Sequence, residues 1–402
     1  MHGFTRRHTV AQALAWLDAQ LAPLDAERVD LIHGAGRVLA DPVTSDVDVP
    51  GFDRATMDGY AVVADDSEGA TPYHRATLRV IGDALPGTPF AGLVGRGEAV
   101  RIMTGAPIPA GANAVLPAEV AEAEGSDLIA ITATVSPDKN IGRRGEDVTR
   151  GTTLLERGRL LRPQDVGVIS SVGLADVPVV RRPRVRLVIT GNELLPAGSR
   201  PHAFRITDAN GPMLSALAER DGGEVDFPGL VPDEADAIQA ALLADADVVL
   251  VSGGSSVGVE DLAPLLVAQL GELPVHGIAM RPSSPAGFGR IGSRLVFLLP
   301  GNPVSALCAY DFFAGRAIRA LGGRPLPWPY RQVRGTLSRK ISSPIGRLDY
   351  ARVRVAAGRV EPLAVAGASV LTSTTRADGF VVVGDDSEGY PAGSDVDVWL
   401  YA

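Results

Sequence analysis

Between residues 182 and 325 the chain repeats one alternation, a continuous apolar run followed by a helical stretch. The runs are VRLVITG, VDFPGLV, DVVLVSGG, VHGIAM and LVFLLPG, and the helical stretches cover 211–221, 233–244, 261–270 and 303–321. Runs that are apolar at every position, not every second one, belong to strands covered on both faces, and alternation with helices makes the sheet doubly wound and mostly parallel. The helix ends are marked as well. Asp233 follows Pro232, Asn302-Pro303 supplies an N-cap with proline at the first helical position, and Gly222-Gly223 and Gly322-Gly323 close two helices.

Ligands of such sheets sit beyond the carboxyl ends of the strands, and there the polar residues gather. The first run ends in Gly191-Asn192-Glu193. The third ends in Gly253, Gly254, Ser255 and Ser256, with Glu260-Asp261 at the following helix entrance. The last ends in Pro300, Gly301, Asn302 and Pro303. Small residues let a ligand approach the backbone, and N–H groups of a Gly/Ser loop and a helix start hold phosphate-like oxygens. Arg281 and Arg290 of MRPSSPAGFGR add charge-assisted bonds. Glu193, Asp208 of RITDAN, Asp233 and Asp261 are oxygen donors suited to Mg²⁺, which takes one or two carboxylates plus substrate phosphate. Each feature has a plainer counterpart. A Gly-Gly pair can be a tight turn, Asp261 a helix-dipole partner, and Arg281 a surface residue.

The remaining chain divides by composition into a discontinuous N-terminal domain (1–45 and 146–181), an inserted β-rich module (46–145), the α/β domain (182–326) and an all-β C-terminal domain (327–402). Thr9 and Gln12 form a T-x-x-Q capping box for an N-terminal helix with Val10, Leu14, Leu17 and Leu21 on one face, and a second short helix is expected near 25–39. The length of 402 residues, with 46% hydrophobic and 21% charged, fits a folded protein of several cores. A net charge of −9 argues against a general nucleic-acid binder. One cysteine, Cys308, excludes a disulfide framework or cysteine metal cluster, the six histidines lack metal spacing, and no apolar run approaches a membrane span. Cytoplasm is the expected compartment.

PGFDRATMDGYAV (50–62), RIMTGAPIPAGANAV (101–115), NIGRRGEDV (140–148), TGNEL (190–194), SGGSSVGVED (252–261), LPGNPVSA (299–306) and LTSTTRADGFVVV (371–383) follow one another in this order. Together they resemble the molybdopterin molybdenumtransferases, the MoeA-type enzymes related to the E domain of gephyrin. The resemblance implies the last step of molybdenum cofactor synthesis. Adenylated molybdopterin is hydrolysed with Mg²⁺, AMP leaves, and molybdenum from molybdate enters the dithiolene. Carried over by motif, the site includes Asp58, Thr104, Asp147, Glu193, Asp208, Asp233, Asp261, Pro300 and Pro303. The family implies a homodimer, with the α/β domain of one subunit and the Asp58 module of the other sharing a cleft. An adenylyltransferase of the same pathway and molybdoenzyme acceptors are the implied partners.

One departure stands out. Relatives often read K-P-G-K-P where this chain has Arg281-Pro282-Ser283-Ser284-Pro285, which bears on oxyanion affinity and on molybdate against tungstate. Two other readings differ in kind: a gephyrin-like non-catalytic scaffold, and a nicotinamide-nucleotide amidase with an S-G-G loop. The set Asp58, Asp147, Asp208 and Asp261 is superfluous in a scaffold, and Ser255-Ser256-Val257-Gly258 departs from the amidase pattern S-G-G-L-G-P-T.

Overall fold

The structure is a computed structural model that describes residues 7–253, 262–364 and 367–401. The chain forms two compact units, one of residues 28–179 and the other of residues 1–27 with 180–402.

In the larger unit a seven-stranded sheet runs in the order Glu224–Asp226, Arg184–Thr190, Val248–Ser252, Arg294–Leu299, Gly287–Ile291, Glu272–His276, with Leu230–Val231 also beside Arg184–Thr190. The first four strands are parallel, Gly287–Ile291 runs opposite to them, and Glu272–His276, antiparallel to Gly287–Ile291, runs in their direction again. The period of two sorts the side chains onto two faces. Leu187, Leu250 and Phe297 enter one core with helices Asn210–Arg220 and Pro303–Ala309. Val188, Val249, Val251 and Val296 enter the other with Ala235–Leu242 and Leu262–Leu270. That double burial is why the central positions of these strands are apolar on both faces, with polar residues mostly at their ends.

The helix Val10–Asp18 carries the expected capping box, with Thr9 and Gln12 exchanging side-chain and backbone bonds of 3.1 Å. It buries Val10, Ala13 and Leu17 in the first of those cores. The expected helix near 25–39 is not formed. A strand, Ala26–Asp30, gives way to a single 3₁₀ turn, Leu31–His33. Gly34 and Gly36 interrupt any helix there, and the Leu31 N–H donates to the Ala175 carbonyl. Asp233 is not the helix cap either, since Glu234 holds that position and the helix is Ala235–Leu242. The run VHGIAM also divides. Gly277, at φ +86°, separates Glu272–His276 of the α/β sheet from Met280–Arg281, which joins a different sheet.

That second sheet is the C-terminal barrel. Strands Leu348–Ala356, Arg359–Ala364, Arg331–Leu337, Asp395–Leu400 and Gly379–Val383 pair in that order, and Gly379–Val383 returns to Leu348–Ala356. Closure leaves no free edge in the ring. Met280–Arg281 attaches alongside Leu348–Asp349. The helical run from Pro303 to Leu321 contains a π-helical stretch, Tyr310–Ala314, a local widening common at special sites. Asp311 sits in it, fully buried, accepting from the hydroxyls of Tyr330 (2.8 Å) and Tyr350 (3.3 Å), while its carbonyl accepts from the Trp328 indole (2.8 Å). Tyr350 and Phe380 stack beside it with ring centroids 4.1 Å apart.

The smaller unit is built on a six-stranded sheet ordered Ala114–Pro117, Gly59–Val62, Glu98–Ile102, Ala76–Ala84, Leu128–Ile131, Ala121–Ala123. Val62 and Leu116 pack on one side, Ala61, Val100 and Val115 on the other. Helix Pro163–Ser171, the expected QDVGVISS segment, buries Ile169 in a further small core with Leu39, Leu161 and Val179.

Burial pushes the Asp311 carboxyl up to about 6, against the opposing pull of Arg220 and the Tyr330 hydroxyl. The folded state therefore binds this proton more tightly than the unfolded chain, where the group titrates near 3.8. Its contribution to stability is fully present below pH 4 and is lost as pH rises through about 6. Asp311→Asn should flatten that loss, worth roughly 3 kcal/mol at most, so that melting temperatures measured from pH 4 to pH 7 diverge in the variant's favour. Parallel curves would mean that Asp311 does not titrate in this range.

Candidate active site

Three loops leave the parallel strands at their carboxyl ends, and Asn210 ties two of them together. Its side-chain amide donates to the Ser252 hydroxyl and to the Gly301 carbonyl, both at 2.8 Å. Gly253 is obligatory: at φ +102°, a Cβ there would lie 1.8 Å from the Thr190 carbonyl oxygen. Asp233 accepts from the Thr190 hydroxyl at 3.2 Å. Asp208 is 5% exposed and caps the turn into Asn210–Arg220 by accepting the Gly211 N–H at 2.9 Å through Oδ1. Its Oδ2 is buried without a hydrogen-bond partner, a donor position that a cation or a ligand hydroxyl would satisfy. Glu193 is exposed at the end of the first strand. Gly254, Ser255, Ser256 and Asp261 lie outside the described residues. Among the described residues no three His, Cys, Asp or Glu side chains converge as a metal-ligating group, so Asp208 and Asp233 do not form a complete ligand set by themselves.

Beside Pro300 and Asn302 opens a cleft of about 830 Å³. One wall is the 279–285 segment with Ser305, and the other is Pro344–Arg347 of the barrel with Gly367 and Ala368. Arg281, Ser284, Pro300 and Asn302 line it as the sequence leads one to expect, and Arg7 and Arg347 line it too. Ser283, in the left-handed region at φ +91°, is 2% exposed and donates its hydroxyl to the Ser305 carbonyl. That bond holds a conformation for which glycine is the usual residue. Gly301 and Pro303 continue the same turn, Pro303 being the first residue of its helix.

Arg290 is not in the cleft. It lies opposite Leu295 in the antiparallel pair, near the start of Arg294–Leu299, whereas Pro300 follows that strand's end. The separation along the strand is roughly 15 Å, and Arg290 pairs instead with Glu272 at 2.6 Å. Conversely, Arg347 lines the cleft with the fully buried Asp349 beside it, and no family motif of the sequence points to either. Their signal is the SPIGRLDY turn (343–350), a Pro-x-Gly bend leading into a strand that carries a carboxylate among apolar residues.

In the smaller unit three motif segments are stitched by backbone bonds. Ala55 and Ala106 bond N–H to carbonyl at 3.0 Å, Gly105 donates to Ala55 at 2.8 Å, and Thr56 donates to Asn140 at 3.0 Å. Asp58 stands exposed at this junction. Its Oδ1 accepts both the backbone N–H and the hydroxyl of Thr104 at 2.7 Å, and these bonds hold the carboxyl below the usual range. Gly59 follows because a Cβ there would meet the Leu116 carbonyl oxygen at 1.8 Å. Asp147 is exposed, with its N–H on the Val49 carbonyl. The adjoining arginines are committed to carboxylates: Arg143 to Asp53 and Asp138, Arg144 to Asp48.

An α/β sheet with such strand ends, a closed C-terminal barrel and a separate β-rich unit define a multidomain molybdopterin-binding architecture. The family described as MoeA N-terminal region (domain I and II) matches residues 8–173, a probable molybdopterin binding domain matches 186–320, and MoeA C-terminal region (domain IV) matches 334–401. Molybdopterin molybdenumtransferase 2 of Mycobacterium tuberculosis is 35% identical over 386 residues, covering 92% of this chain and 94% of its own. The molybdopterin molybdenumtransferase of Haemophilus influenzae is 32% identical, covering 97% and 98%. A crystal structure of a MoeA protein from Pyrococcus horikoshii superposes with a TM-score of 0.84 at 32% identity, over 99% of this chain and all of that one. The chain belongs to the MoeA family of molybdopterin molybdenumtransferases.

Thr104→Val removes one of the two bonds to Asp58 and keeps the shape. The Asp58 carboxyl should then titrate at higher pH, towards the ordinary aspartate value, when followed by carboxyl carbon resonances. An unmoved titration would show that the backbone N–H alone sets it.

Proposed function

We propose that this protein inserts molybdenum from molybdate into the dithiolene of adenylated molybdopterin, with Mg²⁺-dependent release of AMP. The observation that carries this reading is the arginine-lined cleft opening at the strand ends of a domain of molybdopterin-binding type. Molybdate, as substrate, meets Arg281, Arg347 and the Ser284 hydroxyl there. The pyrophosphate of the second substrate takes the backbone around Gly253 through Ser256, with Asn302 and Pro303 at a helix start whose dipole favours anions. Arginines and N–H groups offset the repulsion between two anions that must approach.

Asp208, Asp233 and Asp261 are the residues that would hold Mg²⁺, and the unpartnered Asp208 oxygen fits that role. The metal would offset the charge on the phosphoanhydride that is cut. Asp58, Thr104, Asp147 and Glu193 orient the attacking water and the leaving group, and the two bonds from Thr104 fix the direction in which the Asp58 carboxylate accepts. Tungstate has the same shape and charge and is the competing oxyanion for the same cleft.

The domain division read from composition, cytoplasmic residence and a homodimeric working unit are parts of the same proposal. No helix among the described residues is long and apolar enough to cross a membrane. An upstream adenylyltransferase and molybdoenzyme acceptors follow from the chemistry of substrate and product. No observation favours the scaffold reading.

The direct test is AMP release from adenylated molybdopterin with molybdate and Mg²⁺. Asp58→Ala and Asp261→Ala should each reduce it at least a hundredfold with melting temperature unchanged. Mixing the two inactive proteins under subunit exchange should restore part of the activity if each site draws on two subunits. Near-normal release by either variant would make these carboxylates structural.

A further inference from the structure

We propose that Asp349 is a positioning residue that sets the oxyanion selectivity of the cleft, an inference that rests on the cleft reading above. Met280–Arg281 runs parallel to Leu348–Asp349, with Arg281 directly opposite Asp349 in the ladder. Paired residues in register project to the same face, so the backbone itself brings carboxylate and guanidinium together. Asp349 is 0% exposed and its Oδ2 accepts from the Arg281 guanidinium. Its Oδ1 lies 3.5 Å from the Nε of Arg347, two residues earlier in the chain. One buried carboxylate thus stands between the two arginines that enter the cleft from its two walls.

Two consequences follow. First, the arginines converge. Guanidiniums close together repel one another and would turn to solvent without a fixed anion behind them. Arg281 is held by its bond to Oδ2, whereas Arg347 is held by charge alone, since its Nε and the Asp349 Oδ1 it faces are both buried without a hydrogen-bond partner. Second, Asp349 subtracts charge. A cleft with less net positive charge binds small anions less indiscriminately and selects by fit to the fixed donors, the repulsive element that specificity commonly needs.

Removing the charge while keeping the shape should therefore separate affinity from selectivity. Calorimetric titration of the full-length protein with molybdate alone and sulfate alone gives the two affinities, and AMP release gives KM for molybdate against kcat. For Asp349→Asn we expect molybdate affinity to fall about tenfold, sulfate affinity to hold or rise, and kcat to change less than KM. Asp349→Glu keeps the charge but displaces it by one methylene. It should recover part of the selectivity, losing about threefold in molybdate affinity, and it serves as the test if Asp349→Asn does not fold. A structural role alone would lower the melting temperature and leave the ratio of molybdate to sulfate affinity unchanged in every folded variant, and that result overturns the proposal. Absence of molybdate binding by the unaltered protein would sink the cleft reading itself, which is a different outcome from normal binding unaffected by either substitution.

Discussion

Burial of Arg184–Thr190, Val248–Ser252 and Arg294–Leu299 on both faces is the constraint from which the larger unit follows. Three parallel strands sealed between two helical layers cannot slip in register without exchanging side chains between two differently packed cores. Their carboxyl ends therefore hold one register. The loops that follow inherit that register. Asn210 spans from Ser252 to Gly301, and Gly253 fits against Thr190, because the strands beneath share one register. The polar residues at the rim need no rigid framework of their own.

The barrel is joined to this sheet by a second kind of contact, in which polarity is buried deliberately. Asp311, lodged in the π-helical stretch, gathers Tyr330 and Tyr350, and the aromatic stack of Tyr350 with Phe380 surrounds them. Such groups cost desolvation and are tolerated when each finds partners. Their geometry allows few alternative arrangements. An apolar interface would hold the two layers together while leaving their relative angle less defined.

The sequence made the parallel sheet and its strand-end residues legible because both depend on local pattern: continuous apolar runs, small residues after them, proline at Pro303. The misplacement of Arg290 shows where local pattern ends. GFGRI is a strand by composition, but its antiparallel direction is set by neighbours, and reversing a strand carries its arginine to the opposite end. Asp349 was hidden for a related reason. In LDYARVRVA it looks like an interruption of an apolar strand, and its meaning comes from register with Arg281, far away in the chain. The segment 25–39 failed because apolar spacing alone could not weigh Gly34 and Gly36. The junction of Asp58 with Thr104 was legible only through resemblance, since a loop carboxylate and a loop hydroxyl carry no periodicity.

Met280–Arg281 belongs by chain order to the α/β domain and by pairing to the barrel. A boundary drawn after the last α/β helix therefore crosses no covalent feature of note, yet it cuts the cleft in half. The barrel cannot be treated as an exchangeable tail. A chimera that took its barrel from a relative would inherit one wall of the cleft and the carboxylate beneath it, while keeping its own arginine on the other wall. The two halves would have to be inherited together, and the unit of exchange between such proteins is the pair of walls and not the domain.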